Sequence, residues 1–198
     1  MKKRTAILLS GGIDSAAIAY WKRPEVAISI DYGQRPALGE LRAASEIARA
    51  LDMHHEIISI NCSALGSGDL AGTAPAEGAP ESEWWPYRNQ LLVTLAVGRA
   101  YTLKIGRLLV GSVRSDSFHV DGTFAFYDIL NQLVAIQEGG IQIEAPALDF
   151  DSCELISKSK IPLELLGWTH SCHKANYACG ACRGCYKHIS TLRSIESE

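Results

Sequence analysis

The feature that most constrains this chain lies near its N-terminus. The apolar run Ala6-Ile7-Leu8-Leu9 passes into Ser10-Gly11-Gly12-Ile13-Asp14-Ser15, and a helix-like segment follows from Ala16 to Trp21. Strand, tight glycine turn and helix, in that order, build a cradle for an anion. Paired glycines carry no Cβ, so backbone N–H groups converge on one point. The first turn of the following helix presents its unsatisfied N–H groups and positive dipole end to the same place. Ser10 and Ser15 add hydroxyl donors, and Asp14 sets a carboxylate at the rim, suited to Mg²⁺ or water. The bland alternative is an ordinary strand-to-helix turn. A Walker A loop is excluded, because G-x-x-x-x-G-K-S/T is absent from the sequence.

Downstream, strand and helix signals alternate. Val26-Ala27-Ile28-Ser29-Ile30 reads as a second strand, ending at Asp31-Tyr32-Gly33-Gln34-Arg35. Ligands of open α/β sheets sit outside the carboxyl ends of the strands. This segment is therefore expected beside the glycine loop, with Tyr32 to stack on a base and Gln34 and Arg35 to reach phosphate or nucleobase; a polar turn is the alternative. Pro36 opens a helix whose apolar stripe is Leu41, Ala44, Ile47, Ala48 and Leu51. Residues 55–60 read as a third strand, and Cys62 as a small buried residue.

Residues 61–86 form the longest irregular stretch and end in Trp84-Trp85-Pro86. Such a length reads as a lid or binding loop. The tryptophans suit a stacking wall, an anchor to the core or a subunit contact. A helix over 90–103 follows, with Asn89 as its N-cap. Residues 107–111 make a fourth strand. The next helix, 124–137, carries the stripe Tyr127, Leu130, Leu133, Val134 and Ile136, and 141–145 make an edge strand. Short helical pieces are expected at 149–157 and 161–166. The alternation predicts an α/β fold, a mostly parallel, doubly wound sheet with helices on both faces. A single domain is expected over 1–198, including a metal-binding segment at 167–198.

Bulk properties narrow the function. The 198 residues are 47% hydrophobic and 21% charged, enough apolar material for one packed domain. A net charge of −3 argues against a nucleic-acid partner. Lys2, Lys3 and Arg4 before an apolar run superficially resemble a signal peptide, but Asp14 interrupts the run and no cleavage pattern follows. No apolar stretch is long enough to span a membrane, so a cytoplasmic location without a membrane partner is expected. Four of the six cysteines, Cys172, Cys179, Cys182 and Cys185, form C-x6-C-x2-C-x2-C. Four thiolates with no open position describe a structural Zn²⁺ site, with iron–sulfur ligation the alternative. Gly180 and Gly184 permit tight turns between ligands, and Lys174, Arg183 and Lys187 are expected to offset the negative charge. His170, His173 and His188 read as flanking groups rather than ligands. The metal is expected to supply much of this segment's folding energy.

S-G-G-x-D-S at Ser10 to Ser15 resembles the pyrophosphate loop of the N-type ATP pyrophosphatases, which cleave ATP to AMP and pyrophosphate. D-Y-G-Q-R at 31–35, the pair Arg88-Asn89, and S-C…C-G-x-C-x-x-C from Ser171 to Cys185 follow in order. Together they resemble, nearly end to end, the 7-cyano-7-deazaguanine synthase (QueC) family. The resemblance implies ATP, Mg²⁺ and structural Zn²⁺. It implies adenylation of the carboxylate of 7-carboxy-7-deazaguanine, displacement of AMP by ammonia to give the amide, then a second adenylation and elimination to the nitrile. By the same resemblance, Ser10 to Ser15 cradle pyrophosphate, with Ser10, Asp14 and Ser15 nearest the chemistry. Asp31, Tyr32, Gly33, Gln34 and Gly111 surround the nucleotide. Arg88, Asn89, Asp121 and Trp85 meet the deazaguanine. A homodimer is implied, with Trp84, Trp85, Leu192 and Ile195 as candidate contacts.

Departures from the family pattern fall on the substrate side. Tyr87 replaces the glycine before the R-N pair, and Asp121-Gly122-Thr123 replaces Asp-Cys-Arg. Asp151-Ser152-Cys153-Glu154 replaces Asp-Lys-x-Glu, with Lys158 and Lys160 as candidate substitutes, and the stretch 70–85 looks shorter than the usual lid. They motivate a second reading, in which the reaction stops at the amide or the acyl group passes to a protein amine, as for QueC-like proteins of bacterial antiphage islands. A non-catalytic nucleotide- and zinc-binding module is a third, against which the intact loop argues. RNA-modifying relatives are a fourth, but their added RNA-binding region or catalytic cysteine pair is not evident in this sequence.

Overall fold

A computed structural model of the chain describes residues 3–196. Five strands, β1 (Thr5–Leu8), β2 (Val26–Asp31), β3 (His54–Ser59), β4 (Arg107–Leu109) and β5 (Gln142–Glu144), form one sheet in the order β3-β2-β1-β4-β5. Every neighbouring pair is parallel, with Ala6 opposite Val26 on one side and Leu108 on the other. The helices are α1 (Ile13–Lys22), α2 (Ala37–Ala50), α3 (Gly68–Ala71), α4 (Arg88–Thr102), α5 (Phe124–Ala135), α6 (Ser152–Ser159), α7 (Leu163–Leu166) and α8 (Arg183–Glu196).

The sheet separates two cores. Ile7, Ala27 and Leu109 point into one, closed by α1, α2, α6, α7 and α8; Ala6, Val26, Ile28 and Leu108 point into the other, closed by α4 and α5. Successive side chains alternate between faces, yet both faces are covered, so β1 and β2 read as unbroken apolar runs. The edge strand β3 is only partly covered, which accounts for its polar content.

Several sequence expectations need correction. Asn89 is not the N-cap of α4: the cap is Tyr87, whose φ of 56° is left-handed, and Asn89 lies in the helix's first turn. That backbone conformation is the one glycine adopts freely, and a tyrosine there carries strain of about 1 kcal/mol. On α5, Tyr127, Leu130 and Val134 are buried but Leu133 and Ile136 are exposed, because the helix packs at the sheet edge on a narrow stripe. Residues 61–86 are not structureless, since a 3-10 turn at Ser63–Leu65 and α3 lie within them. Leu70 and Trp85, each 2% exposed, anchor the stretch to the core. Leu192 and Ile195 are partly buried against the core of their own chain, and Trp85 is fully buried. No helix among the described residues is long and apolar enough to cross a membrane.

Candidate active site

The strand order reverses at β1, whose neighbours β2 and β4 lie on opposite sides, and the loops leaving β1 and β4 flank that switch point. Gly11 has φ +81°, and a Cβ there would stand 2.5 Å from the Glu40 carbonyl oxygen, so only glycine lets the loop close on α2. Gly12 caps α1 without a side-chain bond. A Cβ on it would stand in ordinary contact with the Ser10 hydroxyl at 3.5 Å and the His170 carbonyl at 3.8 Å. The Ser10 and Ser15 hydroxyls stand 3.1 Å apart, and Ser15 donates to the Gly12 carbonyl at 3.0 Å. Gly111 brings the end of β4 against Ser15, where a Cβ would lie 3.3 Å from the serine Cβ. The His170 N–H donates to the Gly11 carbonyl at 2.8 Å and ties the C-terminal segment to the loop.

A cavity of about 640 Å³ opens here, and Ser10, Gly12, Ile13, Ser15 and Gly111 line it. Tyr32, Trp85, Arg88, Asn89 and Asp121 line the same cavity. Gly11, Asp14, Asp31, Gly33 and Gln34 lie outside its lining, as do Arg35, Lys158 and Lys160. Asp31 and Gln34 shape the turn from within: Asp31 Oδ1 accepts from the Gly33 N–H at 3.0 Å, and Gln34 Oε1 accepts from the Tyr32 N–H at 2.8 Å. The Gln34 amide donates to the Ile30 carbonyl and to Glu40, so no free donor of it points at a ligand. Tyr32 meets Trp85 edge to face at 4.9 Å between ring centroids.

Charge gathers around Arg88. Its guanidinium stays charged despite burial because Tyr32, Asp121, Glu40 and Glu83 surround it. The backbone N–H of Asn89 donates to Asp121 Oδ2 at 3.4 Å, and its side-chain amide to the Asp121 carbonyl at 3.0 Å. Glu40 was not singled out by sequence reasoning. Burial pushes its carboxyl up to about 7, against the opposing pull of Gln34 and Arg88. Its only sequence signal is its place in the helix that follows D-Y-G-Q-R. Tyr127 is also a lining residue, its hydroxyl 2.6 Å from that of Ser112, with burial raising its phenol to about 12.

Lys187 is the other residue the sequence did not assign to this site. Its Nζ lies 3.0 Å from Asp14 Oδ2 and 3.7 Å from Asp116 Oδ1. Burial alone would lower the ammonium, but the two carboxylates outweigh it and hold it above its ordinary value. Asp14 Oδ1 is buried and has no partner. A hard, unpartnered carboxylate oxygen beside a phosphate loop fits Mg²⁺.

The four cysteines form a cluster of their own, their sulfurs all within 4.8 Å of one another. Cys179 and Cys185 are 3.9 Å apart and Cys172 and Cys182 4.0 Å. A single zinc ion with Zn–S bonds of about 2.3 Å spaces tetrahedral sulfurs by roughly 3.8 Å. Backbone N–H groups of His173, Lys174 and Cys185 donate to the sulfurs, an arrangement that favours thiolates. The flanking cations do not sit free on the cluster: Lys174 pairs with Asp69, Arg183 with Glu81 and Glu83, and Lys187 with Asp14. His188 Nδ1 is 3.0 Å from the Ser171 hydroxyl and His170 Nε2 is 2.9 Å from the Ala175 carbonyl, so both are flanking groups, as expected.

An all-parallel α/β domain with a pyrophosphate-type loop at its switch point and a four-cysteine cluster able to hold a metal is the class these features define. The sequence profile described as "Queuosine biosynthesis protein QueC" matches residues 4–196. The 7-cyano-7-deazaguanine synthase of Azotobacter vinelandii is 32% identical over 205 residues, covering 93% of this chain and 91% of its own. The 7-cyano-7-deazaguanine synthase 1 of Desulfitobacterium hafniense is 29% identical over 211 residues, covering 98% and 94%. Among solved structures, the U34-tRNA thiolase NcsA of Methanococcus maripaludis, with its 4Fe–4S cluster, superposes with a TM-score of 0.55 at 15% identity, a likeness of fold. That match covers 99% of this chain and 66% of the thiolase. The chain belongs to the QueC family.

Proposed function

We propose that the chain is an AMP-forming carbon–nitrogen ligase. It activates the carboxylate of 7-carboxy-7-deazaguanine with ATP and aminates it with ammonia, through the amide to 7-cyano-7-deazaguanine. The observation that carries this reading is a single cavity lined both by the Ser10–Ser15 loop and by Arg88, Asn89 and Asp121.

A carboxylate is a poor electrophile. Its attack on the α-phosphate of ATP makes an acyl–AMP anhydride and expels pyrophosphate, whose charge develops against the Ser10 and Ser15 hydroxyls and the first-turn N–H groups of α1. Arg88 offers a planar fork to the carboxylate, and Asp121 an acceptor to the N–H donors of the guanine-like edge. Ammonia then attacks the acyl carbon and AMP leaves; Glu40, poised near neutrality, takes the released proton. A second activation, at the amide oxygen, followed by loss of AMP and a proton, gives the nitrile. Asp14 would hold Mg²⁺, which when bound offsets phosphate charge. Cys172, Cys179, Cys182 and Cys185 would hold Zn²⁺, a closed structural site.

Two of the departures that motivated a protein amine acceptor have local explanations. Thr123 is the N-cap of α5, accepting from the Phe126 N–H at 3.3 Å. Ser152 is buried at the start of α6, behind the capping box of Asp151 and Glu154. Neither Thr123 nor Ser152 lines the cavity, and the relatives named above are synthases, so the small-molecule reading is adopted. Incubation of the zinc-loaded protein with ATP, Mg²⁺, 7-carboxy-7-deazaguanine and ammonium, read by mass spectrometry, should yield nitrile and AMP in step. Amide alone, or no AMP, refutes it.

A further inference from the structure

The pyrophosphate loop supplies no cation: Ser10, Gly11, Gly12, Ile13 and Ser15 are neutral and Asp14 is negative. The pyrophosphate that leaves it is strongly anionic, so a positive charge must come from elsewhere in the fold. Among the described residues, the lysines and arginines lining the cavity are Arg88, Arg183 and Lys187. Arg88 stands among Tyr32, Asp121, Glu40 and Glu83, where the carboxylate is proposed to bind, and makes no ion pair with the loop. Arg183 is held by Glu83 at 3.0 Å and Glu81 at 3.3 Å. Only Lys187 is tied to the loop itself, through Asp14 at 3.0 Å.

We propose that Lys187 is the cation that binds the phosphates of ATP and the departing pyrophosphate, and that the cysteine cluster is what positions it. A lysine ammonium is a compact point charge with three donors, suited to phosphate oxygens without demanding one geometry. While it waits, Asp14 and Asp116 hold it at the loop; as phosphate enters, its donors turn to the phosphate oxygens. Its placement follows from the metal site. Helix α8 starts at Arg183, between Cys182 and Cys185, so the sulfurs fix the first turn, directly before Lys187. Farther along, Leu192 and Ile195 seat the same helix on the core. The cluster is thereby coupled to the nucleotide half of the reaction. This inference rests on the adenylating reading only for the identity of the carboxylate; phosphate binding does not depend on it.

The test is calorimetric titration of the full zinc-loaded chain with Mg²⁺–pyrophosphate, without any carboxylate substrate. Lys187→Gln keeps an N–H donor for Asp14 but loses the charge, and Lys187→Arg keeps the charge. Pyrophosphate affinity should fall on the order of 10²-fold in the first and stay within about tenfold in the second. In turnover, Lys187→Gln should lower kcat for AMP formation about 10²- to 10³-fold while the KM of the carboxylate stays within roughly threefold. Removing the metal should weaken pyrophosphate binding in the parent but add nothing to Lys187→Gln, the non-additivity expected of one unit. If the variant does not fold, acylation of Lys187 in the parent, mapped by peptide mass, should slow when Mg²⁺–pyrophosphate is bound. Unchanged affinity in Lys187→Gln, or unchanged acylation, overturns the proposal; full additivity overturns the role of the cluster. Parent protein that binds pyrophosphate but makes no AMP with 7-carboxy-7-deazaguanine refutes the substrate and leaves Lys187 standing.

Discussion

The cavity has two walls of different construction. The Ser10–Ser15 wall is built of backbone and two serine hydroxyls: the bonds within it join residues no more than five apart in the chain, while His170 and Lys187 tie it to the C-terminal segment. The Arg88 wall is made of side chains drawn from distant places, with the neutral Tyr32 and the carboxyl groups of Glu40, Glu83 and Asp121 gathered around one guanidinium. A backbone site is set by shape and tolerates little change of conformation. A charge cluster tolerates changes of shape but not of sign. Substitutions that alter one kind of property at a time therefore test whether the walls act separately.

The largest effect is expected at Arg88. Arg88→Met leaves Glu40, Glu83 and Asp121 without their common cation, which costs about 3 kcal/mol in a half-buried setting. The KM for the carboxylate should rise on the order of 10²-fold. Affinity for Mg²⁺–pyrophosphate should stay near that of the parent, as titration and urea unfolding will show. A parallel loss of pyrophosphate binding would make the two walls one unit.

Gly11→Ala tests the opposite wall. It forces a Cβ onto φ +81° and to within 2.5 Å of a backbone oxygen of α2, neither of which yields readily. The combined cost is about 2–3 kcal/mol. Here pyrophosphate binding should fall while binding of the deazaguanine carboxylate, measured without ATP, holds.

Glu40 gives the Arg88 wall a pH signature. Its folded pKa of about 7 lies above the ordinary 4.5, so the folded protein binds the extra proton between those values. Stability from this group is complete below about pH 4.5 and is lost as pH rises through 7. At 1.4 kcal/mol per unit, discounted for partial solvent access, the loss is about 2 kcal/mol. Urea midpoints should decline from pH 5 to pH 8 in the parent, and Glu40→Gln should flatten that decline. An unchanged slope would remove Glu40 as its source.

The same division explains what the sequence revealed. The unit β1–α1–β2 was legible because strands buried on both faces leave unbroken apolar runs, and because the loop's residues are contiguous. The cysteine cluster was legible for the same reason of short spacing. The contact of Lys187 with Asp14 spans 173 residues, and nothing local announces it. Glu40 looks like any first-turn acid on an amphipathic helix, and only its neighbours give it a perturbed proton. The helical period found Tyr127, Leu130 and Val134 but overran to Leu133 and Ile136, because periodicity does not reveal how wide a stripe the edge of a sheet can cover. Asn89 was mistaken for a cap because a left-handed tyrosine is not an expected helix start.

The smallest predicted effect is at Thr123, where the family pattern read in the sequence would place arginine, and it decides which kind of departure this is. The Thr123 hydroxyl donates to the Val120 carbonyl at 2.7 Å and accepts from the Phe126 N–H at 3.3 Å, so both of its capacities are spent inside the chain. Thr123→Ala should cost about 1 kcal/mol, the usual loss of an N-cap. Activity per folded molecule, at a temperature well below the transition, should not change. Thr123→Arg should lose the same cap and gain nothing in KM for the carboxylate, because on the proposed reading Arg88 already supplies the cation that the substrate meets. If Thr123→Arg lowered that KM severalfold, position 123 would belong to the charge-built wall. The neutral residue there would then mark a real shift in substrate recognition rather than a helix start.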